Sequence, residues 1–303
     1  VTLAGVPVAG APLRLRGRTL DGPVVMAVVN RTTDSFYAPA RYDEDGALEA
    51  VARAVDEGAD LVDLGGVRAG RGPEVTTEDE IARVVPVVAR VRAAFPDVLV
   101  SVDTWRAPVA RAAADEGADL VNDTWAGHDP ELVHVAAECG LGIVCSHTGG
   151  AVPRTDPFRV SYPALPGHDP LDGVLDDVVA TVGAAARRAV ALGIDPASVL
   201  VDPTHDFGKN TWHSLHLTRR TEALVALGFP VLMAFSRKDF VGETLDLEAD
   251  ERLEGTLAAT AVAAWLGARV FRAHDVRATR RTLDMVASIR GERAPARAVR
   301  GLV

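Results

Sequence analysis

The chain has 303 residues, 42 acidic against 32 basic side chains for a formal net charge of -10, and a hydrophobic fraction of 48%. That charge balance excludes a nonspecific nucleic-acid binder, and no apolar run approaches the length needed to span a bilayer, so neither nucleic acid nor membrane is an expected partner. Only Cys139 and Cys145 are present, without metal-type spacing, which excludes a disulfide scaffold and predicts a reduced, cytoplasmic protein. The first twenty residues lack a charged-then-apolar signal pattern.

Residues 1–22 hold short apolar pieces broken by Gly5, Gly10 and Gly17, and they predict an N-terminal β-hairpin that plugs or caps one end of the main fold. From Pro23 onward, residues 23–303 read as a single domain in which short apolar runs alternate with Ala-rich amphipathic segments. Strands are predicted at 24–30, 61–64, 98–102, 120–121, 142–145, 199–201, 230–235 and 268–271. Helices are predicted at 46–57, 77–94, 106–116, 129–139, 170–192, 213–226, 251–266 and 276–290, so that each strand is followed by a helix. This pattern predicts an α/β fold, a (β/α)8 TIM barrel, with an open doubly wound sheet as the alternative. An internal echo supports equivalent units: Asp56-Glu57-Gly58-Ala59-Asp60-Leu61-Val62 recurs as Asp115-Glu116-Gly117-Ala118-Asp119-Leu120-Val121. In each copy a helix ends at glycine and the next strand begins, and Gly140, Gly193, Gly228 and Gly267 punctuate other such junctions.

In a barrel of this kind the loops after the strands build the site. The polar residues at strand ends are Asn30, Asp103, Asn122 with Asp123, His147, Asp202, Ser236-Arg237-Lys238, and Arg272 with His274. Any one of them is as readily a helix cap or a loop hydrogen bond. Seven strand ends converging on one mouth carry more weight. Asp103, Asn122 and Asp202 supply acceptors and an amide suited to a flat heterocycle presenting N–H and NH2 donors. Asn30, Arg272 and His274 suit an anion, with Lys238 between the two groups. A bicyclic aminopyrimidinone carrying a leaving phosphate or diphosphate satisfies both sets. The first loop, Asn30 to Tyr37, is polar with an aromatic pair, as in a mobile cover. Gly65 to Gly72 is Gly-rich and basic, suited to phosphate oxygens but without P-loop spacing. Residues 149–167 form the longest connection lacking an obvious element.

With these residues in place, the chain resembles the dihydropteroate synthase family from about Pro23 to the last helix. The matching pieces are Asn30-Arg31-Thr32-Thr33-Asp34-Ser35-Phe36, Asp63-Leu64-Gly65-Gly66, Ser101-Val102-Asp103-Thr104, Val121-Asn122-Asp123, the His147 region, Asp202-Pro203 with Phe207-Gly208-Lys209, Ser236-Arg237-Lys238, and Phe271 to Val276. The resemblance implies a pterin bound by Asp103, Asn122, Asp202 and Lys238, and a diphosphate held by Asn30, Arg272 and His274. Mg2+ is the implied cofactor, with Asn30 its implied ligand. The implied reaction joins (7,8-dihydropterin-6-yl)methyl diphosphate to 4-aminobenzoate with loss of diphosphate, with Lys238, Arg272 and Asp103 as the groups acting on the reacting pterin. It also implies a homodimer, for which the small-residue helices near 256–266 and the last helix are the candidate surfaces.

The departures fall on the second-substrate side. After Gly65-Gly66 the family carries Glu-Ser-Thr-Arg-Pro, where Val67-Arg68-Ala69-Gly70-Arg71 stands here. After Asp202-Pro203 the family has Gly-Ile-Gly, replaced by Thr204-His205-Asp206. Asp239 replaces a small hydroxyl residue after Ser-Arg-Lys and puts negative charge beside the implied aminobenzoate carboxylate. This pattern resembles the divergent second synthase-like paralogue of actinobacteria more than the housekeeping enzyme. The readings it leaves open are a working synthase, a transferase using another nucleophile, and a noncatalytic pterin sensor or partner subunit. A methyltetrahydrofolate-using methyltransferase is disfavoured by the first-loop match and by Arg272 with His274.

Overall fold

The computed structural model describes residues 10–30, 44–68, 70–155 and 161–300, with Asn30 and Glu44 included by their backbone alone. The loop expected as a cover, 31–37, and Ala69 therefore lie outside the described residues. Eight parallel strands carry the fold: β3 (Val24–Asn30), β4 (Leu61–Gly65), β5 (Leu99–Asp103), β6 (Leu120–Asp123), β7 (Gly142–Cys145), β8 (Val199–Val201), β9 (Leu232–Met233) and β10 (Val270–Ala273). They pair in the order β8-β7-β6-β5-β4-β3-β10-β9. A parallel bridge between Val201 and Val231 joins the two ends, so the sheet closes into a (β/α)8 barrel rather than remaining open. The N-terminal hairpin is β1 (Leu13–Leu15) paired antiparallel with β2 (Arg18–Leu20).

Side chains alternate across each strand, and the two sets bury against different neighbours. One set faces the helices: Val25, Val62, Val100, Val121, Ile143 and Phe271 belong to the outer apolar layer. The other set, including Val24, Met26, Leu61, Leu99, Leu120, Val144, Leu200, Leu232 and Val270, fills the barrel. Leu13 and Leu15 of the hairpin join that inner set and are buried, so the hairpin plugs the N-terminal end. Both faces being apolar, the strands read as continuous hydrophobic runs.

The outer ring consists of α1 (Glu44–Asp56), α2 (Thr77–Ala94), α3 (Ala107–Asp115), α4 (Leu132–Cys139), α5 (Asp172–Ala191), α6 (Thr211–Arg219), α7 (Thr221–Val225), α8 (Asp239–Leu245), α9 (Leu253–Trp265) and α10 (Val276–Ile289). Three elements depart from the sequence reading. The helix expected over 213–226 breaks into α6 and α7 at Arg220 (φ -105, ψ 28), beside threonines that bond back to main-chain carbonyls: Thr218 Oγ1 donates to Ser214 O and Thr221 Oγ1 to Thr218 O. The strand expected over 230–235 shrinks to β9, because Pro230 has no amide to donate and only its carbonyl joins the sheet, accepting from Val201 N at 3.0 Å. The short α8 has no counterpart in the sequence reading, its seven residues including Gly242 and Thr244 being too few to set a helical period.

The repeated heptapeptide builds the same junction twice. Gly58 and Gly117 adopt φ of +98° and +95°, ending one helix apiece in a conformation that favours glycine. The following aspartates then cap neighbouring strands: Asp60 accepts from Val25 N and Asp119 from Val100 N, both at 2.8 Å. Each aspartate also takes an arginine, Arg280 at 2.5 Å and Arg92 at 2.6 Å, whose guanidinium bonds the carbonyl of the same glycine.

Leu13 sits fully buried against the barrel interior. Leu13→Ala is therefore expected to destabilise the fold by about 2–5 kcal/mol, read as a lower urea midpoint with unchanged slope.

Candidate active site

Along the inward-facing register the barrel turns from aliphatic to ionic within one step. Two residues past Leu61, Leu99, Leu120, Leu200 and Val270 stand Asp63, Ser101, Asn122, Asp202 and Arg272. Asp63 is fully buried and makes the hub. It accepts from Arg272 Nε at 2.6 Å, Ser101 Oγ at 2.6 Å and Asn122 Nδ2 at 3.0 Å. Arg272 also donates from Nη2 to Asp103 Oδ2 at 3.0 Å, and Asp103 Oδ1 accepts from Thr124 Oγ1 at 3.2 Å. One guanidinium thus serves two carboxylates. Burial works against the Arg272 charge, but Asp63 and Asp103 more than offset it and raise its pKa. For Asp103, burial outweighs the help of Arg272, and with Asp63 adding repulsion its carboxyl is pushed up to about 7.

Asn122 is oriented by this hub. A carboxylate only accepts, so the amide nitrogen must face Asp63, and Oδ1 is left buried with no hydrogen-bond partner among the described residues. Such an acceptor is costly unless a donor arrives, by about 1–3 kcal/mol. Asp202, at the tip of β8, is also buried; its Oδ1 accepts from Thr204 N at 2.7 Å. Burial raises its pKa against the opposing pull of Lys238. Lys238 precedes α8, lies 5.3 Å over the Phe207 ring, and donates from Nζ to the carbonyl of His205. Its pKa is lowered by burial, with Asp206 and Asp202 opposing.

The remaining strand-end residues take other tasks. His274 is bonded through N and Nδ1 to Ser236 Oγ, at 3.2 and 2.9 Å, and burial beside Arg272 lowers its pKa to about 4, so the ring is neutral at neutral pH. Asp123 turns away from the mouth and caps its own loop, accepting from Trp125 N and Gly127 N. His147 Nε2 lies 2.7 Å from Asp177 Oδ2 and is likewise neutral, with a pKa near 4 from burial. Arg237 forks onto Asp275 at 3.0 and 3.1 Å, away from Lys238. Asn30 ends β3, but its side chain is outside the described residues. The 149–167 connection forms no helix or strand among its described residues, and Tyr162 ties it down by donating to Gly208 O at 2.7 Å.

Several groups of the mouth escape sequence reasoning. Asp63 signals itself only as a carboxylate inside an apolar strand, a position almost never occupied without a partner. Trp125 lies edge-on to Phe207 at 5.4 Å and to Trp105 at 6.4 Å, an aromatic cluster drawn from three loops. Lys209 is buried and donates to three main-chain carbonyls, His147 at 2.8 Å, Phe207 at 2.8 Å and Thr204 at 3.1 Å. Burial drives its pKa well below the ordinary lysine value. It pins the β7 and β8 loops together.

Mg2+ demands several oxygen ligands near ideal octahedral geometry. Among the described residues no group of three His, Cys, Asp or Glu gathers to hold a metal ion, and Asp63 and Asp103 are already engaged by Arg272. The described side chains therefore do not build a Mg2+ site.

A closed barrel with an ionic, amide-lined mouth at its C-terminal face defines a small-molecule site. The model of the family described as "Pterin binding enzyme" matches residues 26–274. The chain is 59% identical over 283 residues to the Mycobacterium leprae (strain TN) protein named "Inactive dihydropteroate synthase 2", covering 93% of this chain and 96% of that one. It is 36% identical over 266 residues to the "Dihydropteroate synthase" of Bacillus subtilis (strain 168), covering 87% of each. The Yersinia pestis dihydropteroate synthase crystallised with a sulfonamide drug superposes with a TM-score of 0.83 at 33% identity, over 92% of this chain and 99% of that one. This chain belongs to the dihydropteroate synthase family of pterin-binding barrels.

Because Asp103 keeps its proton to about pH 7 when folded and only to about 3.8 when unfolded, the folded state holds an extra proton in that window. Its contribution to stability therefore falls as pH rises from about 4 to 7. His147 and His274 act in the opposite sense, so the comparison is with Asp103→Asn: wild type is expected to lose stability relative to the variant across this range, measured by urea unfolding at pH 5 and pH 8.

Proposed function

We propose that this protein is a pterin-binding, non-condensing paralogue of dihydropteroate synthase. The observation that carries the pterin half is the buried Asn122 Oδ1, without a partner among the described residues and set on β6 between β5, which carries Asp103, and β8, which leads into Asp202. An aminopyrimidinone edge presents N–H and NH2 donors, one of which would satisfy that oxygen while the flanking carboxylates accept the others. Lys238 lies beside Asp202 to share the ring's polar edge. The diphosphate falls to Asn30, Arg272 and His274, with Arg272 supplying charge and the neutral His274 a hydrogen bond rather than a cation. Of the Arg272 nitrogens, Nη1 makes no hydrogen bond to a described residue, which leaves it for a phosphate oxygen.

The non-condensing half rests on the second-substrate side. Relatives at 57–59% identity are named inactive, and the Gly-Ile-Gly turn and the hydroxyl residue after Lys238 are replaced by Thr204-His205-Asp206 and Asp239. The second reading, an active synthase in which Lys238, Arg272 and Asp103 act on the pterin diphosphate, is favoured by the retention of all three with Asn122, Asp202 and His274. Incubation with the pterin diphosphate, Mg2+ and 4-aminobenzoate discriminates the two: no dihydropteroate is expected, and product at turnover rates would establish the active reading. Calorimetry with 6-hydroxymethyl-7,8-dihydropterin is expected to show binding, weakened about 10–100-fold in Asp202→Asn by loss of a charged hydrogen-bond acceptor.

The same reading makes the protein a cytoplasmic homodimer. No helix among the described residues is long and apolar enough to cross a membrane, and Cys139 and Cys145 are unpaired. The α6, α8 and α9 faces enclose an apolar groove of about 460 Å³ lined by Leu215, Phe240, Val241, Leu245 and Val262, and Met285 and Ile289 stand exposed on α10. Val262→Glu is expected to yield monomers in sedimentation analysis, where wild type sediments as a dimer.

A further inference from the structure

The loop after β8 holds two non-glycine residues in the left-handed region, Thr204 at φ +52° and Asp206 at φ +69°. Residues with a Cβ resist this conformation, so side-chain bonds must hold them there. Thr204 Oγ1 accepts from His147 N at 3.1 Å and donates to Asp202 O at 3.1 Å. Asp206 is held more heavily. Its Oδ2 accepts from Asp239 N at 2.8 Å and Phe240 N at 3.4 Å, the first amides of α8, while Oδ1 accepts from Ser214 Oγ at 3.2 Å. Its strongest favourable partner is Lys238.

Lys238 and those two amides are the groups on the β8–β9 rim that would attract an anion. Asp206 already bonds both amides, and its charge lies close enough to act on Lys238. Asp239 adds a second carboxylate on the same rim, two-thirds exposed and drawn 2.8 Å onto Arg252. An acid group approaching Lys238 from this side meets α8 amides already bonded to Asp206 and two negative charges; a neutral amine meets no such repulsion.

We propose that Asp206 is a specificity-determining residue, its carboxylate occupying the place on the β8–β9 rim that an acid group of an incoming substrate would need, so that the site admits neutral or cationic amines and excludes aryl carboxylates. The proposal rests on the mouth being a pterin site, since it concerns the molecule that binds beside the pterin. It assigns the exclusion to one side chain rather than to the loss of the pterin pocket.

The test is a calorimetric titration of 4-aminobenzoate and its neutral isostere 4-aminobenzamide into protein saturated with 6-hydroxymethyl-7,8-dihydropterin. Wild type is expected to bind the amide at least about tenfold more tightly than the carboxylate. Asp206→Gly suits the left-handed backbone and removes the carboxylate; Asp206→Asn keeps an acceptor for the α8 amides and removes the charge. In both, carboxylate affinity is expected to rise at least about tenfold while amide affinity stays within about threefold. Thermal unfolding verifies that each variant is folded. An amide-to-carboxylate ratio that is the same in wild type and in both variants, including binding of neither ligand by any of them, overturns the proposal. Failure of wild type to bind the pterin overturns the function proposed above instead, and the ratio is then read in titrations without pterin.

Discussion

The Asp63–Arg272 pair is the interaction on which the mouth of this barrel depends. Asp63 has no solvent contact, so its charge is tolerated only because a guanidinium, a hydroxyl and an amide all donate to it. Those donors come from β10, β5 and β6, which means the carboxylate can be satisfied only after the barrel has closed. Asn122 inherits its orientation from the pair, and the carboxyl of Asp103, raised chiefly by burial against the pull of Arg272, is raised further by the Asp63 charge. Asp103 and Asn122 are thus both conditioned by a residue of β4, one and two strands away.

A second buried ion does for the loops what Asp63 does for the strands. The Lys209 ammonium has three main-chain carbonyls as partners, drawn from the β7 and β8 loops. With Thr204 bonded to His147 N, it fixes the backbone on which Asp202 is presented. The positions where the family carries glycine retain a glycine-like conformation here, although Thr204 and Asp206 occupy them. The placement of Asp202 depends on the path of the loop, whereas the chemistry of the rim depends on what projects from it.

The plug at the opposite end has a similar logic. Small inward side chains such as Gly142 would leave space at the base of the barrel, and Leu15 fills it, lying 2.6 Å from where a Cβ on Gly142 would stand. The hairpin, the inner aliphatic layers and the ionic mouth therefore form one continuous column along the barrel axis. Its polarity changes once, at the Asp63 level.

The alternation of buried strands with Ala-rich helices was legible in the sequence, since hydrophobic period and glycine-marked helix ends are local properties. Gly58 and Gly117 announced their left-handed turns in a repeated heptapeptide. The strand-end positions of Asp103, Asn122, Asp202, Lys238 and Arg272 followed from the same local pattern, because polarity at a strand tip is visible without knowing the neighbours. Which partner each of them meets was not legible. Arg272 and Asp63 are 209 residues apart, Asp206 and Asp239 are 33 apart, and nothing in either segment encodes the other. The split of α6 from α7, the short β9 and the brief α8 were equally hidden, being set by tertiary bonds and by Pro230 at the point of closure. The sequence by itself determined the barrel and the residues lining its mouth, through the periodicity of burial. Only the tertiary structure decided which of those charges neutralise one another and which acceptor is left waiting, because pairing depends on closing the sheet and not on any stretch of chain.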